Sequence, residues 1–325
     1  MDNIGSGLPQ VSDAPALALP PTKPDRNTLL FNERGLRAGW RLLIYILLVA
    51  VLGASLTFVL RKIYPRPRTS GLPGPTATLQ QEVLGFALIF GCALIMSRIE
   101  KRSPGVYGLP IVEAFGRKFW LGMLLGLAEV SLLVGLIAAF GGYSFGGLAL
   151  APPEIVRWGL FHLLLFTFVG FFEEFLFRGY MQFTLADGIG FWPAALLLSL
   201  GFGAVHLGNP GEGWIGAASV ALVGTFFAFT LYRTGNLWYA VGLHASFDWG
   251  ETFLFSVPNS GVVMQGHLSN AVIHGPKWLA GGTVGPEGSV FCFLTVGLQF
   301  LVVMWLFPKR HAAPGSSAVQ PNSVA

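Results

Sequence analysis

Apolar runs long enough to cross a bilayer recur along this chain, and they confine it to one kind of architecture. Residues 40–60, 119–140 and 214–231 approach or reach the roughly 20 residues that span about 30 Å of hydrocarbon as α-helix. Residues 79–97, 158–180, 191–207, 237–255 and 289–307 are further candidates. Within a bilayer every backbone N–H and C=O must find its partner inside the protein, so spans of this composition fold as helices. The expected fold is all-α, a polytopic membrane helical bundle of about eight transmembrane helices. A hydrophobic share of 53% with only 11% charged residues argues against a water-soluble core.

Composition shifts at both ends. Residues 1–34 and 311–325 are rich in Pro, Ala or Ser and are expected to be disordered tails around a membrane-embedded domain, 35–310. Residues 1–30 lack the basic start and compact apolar centre of a signal peptide. With the N-terminus inside and eight spans, fourteen Lys and Arg fall on the cytoplasmic side and six on the other. The expectation is an integral protein of the plasma membrane with both termini cytoplasmic. That asymmetry accounts for the net charge of +4 without nucleic acid as a partner. Cys92 and Cys292 sit in apolar spans and read as buried free thiols.

Three segments place ionisable groups in this apolar setting: Glu173, Glu174 and Arg178 in FFEEFLFRGY, His206 in GFGAVHLG, and His244 and Asp248 in GLHASFDWG. A charge near the bilayer centre costs about 2.5–3.5 kcal/mol on insertion scales, so retained charges point to function. Glu174 and Arg178, Phe202 and His206, and His244 and Asp248 are each four residues apart, which puts each pair on one helix face. Two imidazoles and a carboxylate can hold a divalent metal such as zinc, here through Glu173, His206 and His244. They can equally work without metal, with Glu173 as general base on water and the histidines donating to an oxyanion. Both routes lead to hydrolysis. Glu174 and Arg178 are expected to form a structural ion pair, and Asp248 to orient His244.

Other polar groups read more plainly. Glu129 is expected to be hydrogen-bonded within the bundle or near an interface, His162 to be packed, and Glu251 to be a rim charge. His267 and His274, in the Gly-rich segment 256–288, are left outside the site; that segment is either a lid or a surface loop. The turn after the fourth span is expected at residues 186–190. Glu173 and His206 then lie about 20 and 27 Å from it along their helices, depths that agree with His244 only if the turn projects beyond the membrane.

The ordered set EExxxR (Glu173, Glu174, Arg178), FxxxH (Phe202, His206) and HxxxD (His244, Asp248) resembles the CPBP family of intramembrane proteases. That family comprises the type II CAAX prenyl endopeptidases and bacterial relatives, some linked to bacteriocin self-immunity. The resemblance covers residues 158–255. It implies hydrolysis of peptide bonds within the membrane, in membrane-associated or prenylated, CAAX-like substrates. Glu173 and His206 would activate water, while His244 and the residue at 248 would stabilise the oxyanion. Many members carry Asn where this chain has Asp248. An ionised Asp cannot donate to an oxyanion, so it is either protonated, or orients His244, or ligates a metal. The competing classes are a transporter or proton relay, which usually shows an internal repeat, and a non-catalytic immunity or scaffold protein. The oligomeric state is not legible in the sequence.

Overall fold

In the computed structural model residues 29–32, 35–63 and 74–308 are described. The expected C-terminal tail lies outside them, and so does most of the expected N-terminal tail. The first unit ends at Arg37 and contains a small antiparallel pair, β1 (Phe31–Asn32) with β2 (Gly35–Leu36).

From Ala38 onward the chain is helical. The long elements are α1 (Ala38–Ile63), α2 (Pro75–Ile99), α3 (Arg117–Ala139), α4 (Pro152–Arg178), α5 (Tyr180–Ile189), α6 (Phe191–His206) and α7 (Trp214–Thr234). They are followed by α8 (Trp238–Trp249), a π-helical turn (Gly250–Leu254), the short α9 (Lys277–Ala280) and α10 (Val290–Leu306). Among the described residues five helical stretches are long and apolar enough to cross a membrane: α1, α2, α3, α4 with α5, and α7. α6 and α10 are shorter apolar helices. Leu47, Val51 and Phe58 of α1, Leu196 and Leu200 of α6, and Leu301 and Trp305 of α10 all face outward. Water does not sustain so wide an apolar surface, whereas acyl chains do. The chain is an integral membrane protein built as a polytopic helical bundle.

The reversal after α4 differs from expectation. Gly179 leaves helical geometry (φ −82°, ψ −127°), α5 then runs through most of the expected turn, and the chain reverses at Gly190 (φ +88°). The apolar stretch through Met181, Phe183 and Leu185 hides this break in the sequence. Since α4 ends at Arg178, distances counted along one unbroken helix to residues 186–190 do not measure the depth of Glu173, and no projecting turn is required.

The bundle is centred on α8. Its contact with α3 is backbone to backbone: a Cβ on Gly122 would strike the Tyr239 carbonyl, one on Gly126 the Leu243 carbonyl, and one on Gly242 the Phe119 carbonyl. This is the small-residue packing that brings membrane helices close. α2 meets α4 differently, through aromatic side chains, with Phe86 stacked on Phe171 at 5.1 Å and Phe90 tilted against Phe175 at 5.2 Å.

Polar groups tie off the two ends. At one, Arg41 binds Asp187 at 2.7 Å and Glu100 at 3.3 Å, Arg102 binds Asp187 at 2.9 Å, and Tyr180 donates to Glu100. These contacts join α1, α2 and α5. At the other, β3 (Tyr143–Ser144) pairs with β4 (Val272–Ile273), fastening the segment between α8 and α10 over the helix ends.

Candidate active site

Three helices supply the expected groups. Glu173, Glu174 and Arg178 come from α4, Phe202 and His206 from α6, and His244 and Asp248 from α8. Glu173, His206, His244 and Asp248 line a single cavity of about 410 Å³, whose walls include Phe166, Val169, Phe226, Phe227 and Leu243.

His244 is held from several sides. Its Nδ1 lies 2.9 Å from Glu174 Oε1, and its Nε2 lies 3.5 Å from Asp248 Oδ2 and 3.7 Å from Glu173 Oε2. Phe227 stacks on the ring at 5.2 Å with an 11° interplanar angle. A carboxylate at Nδ1 accepts the N–H there and fixes the ring orientation that presents Nε2 to the cavity. Orientation of His244 is thus shared, with Glu174 closer than Asp248.

The expected Glu174–Arg178 ion pair is present at 3.3 Å, with both side chains essentially sealed from solvent. Glu174 is consequently a junction between the pair and His244. The Arg178 guanidinium lies 4.4 Å from the Phe202 ring centroid and 5.5 Å from that of Phe227, which explains the aromatic residue at 202. His206 Nδ1 donates to the Phe202 carbonyl, 2.8 Å away. A carbonyl only accepts, so Nδ1 carries the proton and Nε2 is left available as a base.

Glu173 contrasts with its neighbour. Its side chain is 26% exposed, whereas that of Glu174 is 0% exposed. Adjacent helical positions point about 100° apart, so one carboxylate reaches the cavity while the other enters the packed interior.

Several cavity residues were not singled out from the sequence: Glu82 of α2, Asn209, and Asn259, Ser260 and Glu287 of the α8–α10 connection. Glu82 carries the same signal as Glu129, an acid within an apolar span. Glu287 sits in the loop sequence VGPEGSV, which offers no such signal. Its Oε2 accepts from Ser260 N at 3.1 Å and Ser260 Oγ at 2.9 Å. Burial is the largest influence on this carboxyl and raises its pKa.

The remaining polar expectations divide. Glu129 is buried on the cavity wall. His162 is packed, with Nε2 2.9 Å from the Gln265 carbonyl and its ring stacked on Phe166. His267 and His274 do not line the cavity. Glu251 is not a rim charge: it is 0% exposed. The π-helical turn, closed by Phe255 N–H to Gly250 O at 2.8 Å, replaces the regular helical spacing behind the rim reading and leaves Glu251 inside.

The expected zinc ligands fit poorly. Zinc holds its donors about 2.0–2.3 Å away and therefore draws them close together. Among the described residues, the group of metal-binding side chains with donor atoms all within 4.8 Å of one another is Asp248, Glu251 and Glu287. Glu173, His206 and His244 share the cavity without forming such a group.

Residues 155–250, from α4 to the start of the π-helical turn, match the family model of the Rce1-like type II CAAX prenyl endopeptidases. This agrees with the resemblance carried by the three motifs, over about a third of the 325-residue chain. No curated protein and no solved structure matches the chain.

Proposed function

We propose that this protein hydrolyses peptide bonds of membrane-associated substrates, using water activated by Glu173 and His206. The observation that carries this reading is the division between two adjacent carboxylates. Glu174 is consumed by Arg178 and His244, while Glu173 faces the cavity with His206 and His244. Environments that differ this sharply assign different roles to like groups.

A water held by the Glu173 carboxylate and His206 Nε2 attacks the scissile carbonyl, and Glu173 takes its proton. His244, as the imidazolium held between Glu174 and Asp248, donates through Nε2 to the oxyanion that forms. Glu173 then returns the proton to the departing amine as the C–N bond breaks. Asp248, as a carboxylate, supports His244 and does not donate. No metal at Glu173, His206 and His244 is required for these steps.

The apolar walls suit an extended apolar peptide, such as the membrane-proximal or lipidated end of a protein. One end of the cavity is lined by the start of α2, the end of α6 and the α8–α10 segment. With both termini cytoplasmic in the plasma membrane, this is the extracytoplasmic end. A Ser260→Cys variant should then react with an impermeant maleimide in intact cells, and protection until lysis would reverse the orientation.

The test of the activity is cleavage of a membrane-peptide library by purified, detergent-solubilised wild type and Glu173→Gln, each with and without chelator. Loss of a general base should lower the rate by about 10²–10⁴-fold. Unchanged cleavage in the variant would remove Glu173 from the mechanism. Loss of wild-type cleavage on chelation would show that a metal is needed.

A further inference from the structure

We propose that Asp248, Glu251 and Glu287 form a binding site for a hard divalent cation of the magnesium, manganese or calcium class. The site lies beside the histidine pair and is distinct from the Glu173–His206–His244 set. Its three carboxylates come from α8, the π-helical turn and the α8–α10 connection, and their ligand atoms all lie within 4.8 Å of one another. Among the described residues no Lys or Arg pairs with any of them; Asp248 has only His244 as an ionic partner, at 3.5 Å.

Glu251 supplies the second, independent observation. It is 0% exposed, and neither Oε1 nor Oε2 has a hydrogen-bond donor. A buried carboxylate with both oxygens empty is too unfavourable to persist without a counter-charge or a proton. Glu129 adds a further acid to its surroundings. The permanent cation nearest in the motif set, Arg178, is already committed to Glu174.

Oxygen-only donors select hard cations over zinc or copper, which favour nitrogen and sulfur. Asp248 and Glu287 border the cavity, so water can complete the coordination sphere from that side. The π-helical turn has a specific part in this. By widening the helix one residue beyond Trp249, it directs Glu251 at Asp248 and Glu287. Because Glu287 also binds Ser260, a cation here would tie the α8–α10 segment to α8.

The inference does not rest on proteolysis, and its test requires no substrate. Full-length protein in detergent, stripped with EDTA and exchanged into metal-free buffer, is titrated with Mn²⁺ while free Mn²⁺ is followed by electron paramagnetic resonance. The expected result is one bound Mn²⁺ per chain, displaced by Mg²⁺ or Ca²⁺. Glu251→Gln and Glu287→Gln should each weaken binding by at least about tenfold, since ligand charge sets affinity in such sites. Glu82→Gln, a cavity acid outside the cluster, should leave it unchanged. A second readout needs only wild type: Mn²⁺ should slow tryptic cutting at the exposed Lys277 in the α8–α10 segment. Absence of Mn²⁺ binding by folded wild type would overturn the proposal in favour of carboxylates sharing protons. Binding unchanged in either cluster variant would overturn it too.

Discussion

Replacing Glu174 by Gln tests the junction at the centre of the bundle. The substitution keeps the shape and keeps an oxygen able to accept from His244 Nδ1, now 2.9 Å away, but it removes the charge facing Arg178. Arg178 is 1% exposed, so its guanidinium is left in the interior without a counter-ion. Removing one partner of a buried pair costs about 3–5 kcal/mol. Here the contact is a single nitrogen at 3.3 Å, and Nη2 already lacks a partner, which places the expected cost near the lower limit, about 3 kcal/mol. The Phe202 ring beneath the guanidinium, worth about 2 kcal/mol for a desolvated cation, is unaffected and keeps the cost from rising further. Arg178→Met should also destabilise. The double variant should recover about 1–3 kcal/mol relative to the sum of the single losses, because it restores neutrality. Reversible unfolding in mixed micelles measures all three. A Glu174→Gln loss below about 1 kcal/mol, or strict additivity in the double variant, would refute the view of Glu174 as counter-ion to a buried charge.

Three further outcomes follow from the same geometry. Gly126→Val should drive a side chain into the Leu243 carbonyl and Ser246 and separate α3 from α8, at a cost of about 1–3 kcal/mol or more; unchanged thermal unfolding would contradict the close seam. Asp248→Asn retains an oxygen acceptor for His244 and should lower peptide cleavage less than Asp248→Ala does, so equal losses would deny Asp248 a part in positioning that ring. His162→Phe should keep the aromatic stack but forfeit the hydrogen bond to Gln265, about 1 kcal/mol. Faster tryptic cutting at Lys277 would register the loosened segment, and an unaltered rate would show that His162 does not hold it.

What could be read from the sequence was whatever is periodic or local. The apolar runs announced helices because the bilayer leaves the backbone little choice, and the four-residue spacings put Glu174 with Arg178 and Phe202 with His206, as the structure does. Features set by tertiary packing escaped. The break at Gly179 lies inside a stretch whose hydrophobicity continues through α5, so nothing in the period marks it. Glu251 was placed by regular helical spacing, which the π-helical turn overrides. Glu287 reaches the cavity only because a loop folds back onto the helix ends, and a single acid between Pro and Gly carries no trace of that return.

The contrast between the α3–α8 and α2–α4 contacts bears on which helices can part around the cavity. Where glycines bring two backbones together, there are no rotamers to exchange, and sliding one helix past the other means forcing peptide groups through each other. The α6–α7 seam, where a Cβ on Gly203 would strike the Ala217 carbonyl, is equally intolerant. α2 rests on α4 through rings that can swing aside, and it carries Glu82 at the cavity edge. Any motion that opens the cavity sideways therefore falls to α2, as a sash moves in a fixed frame, while α8 keeps His244 in register throughout.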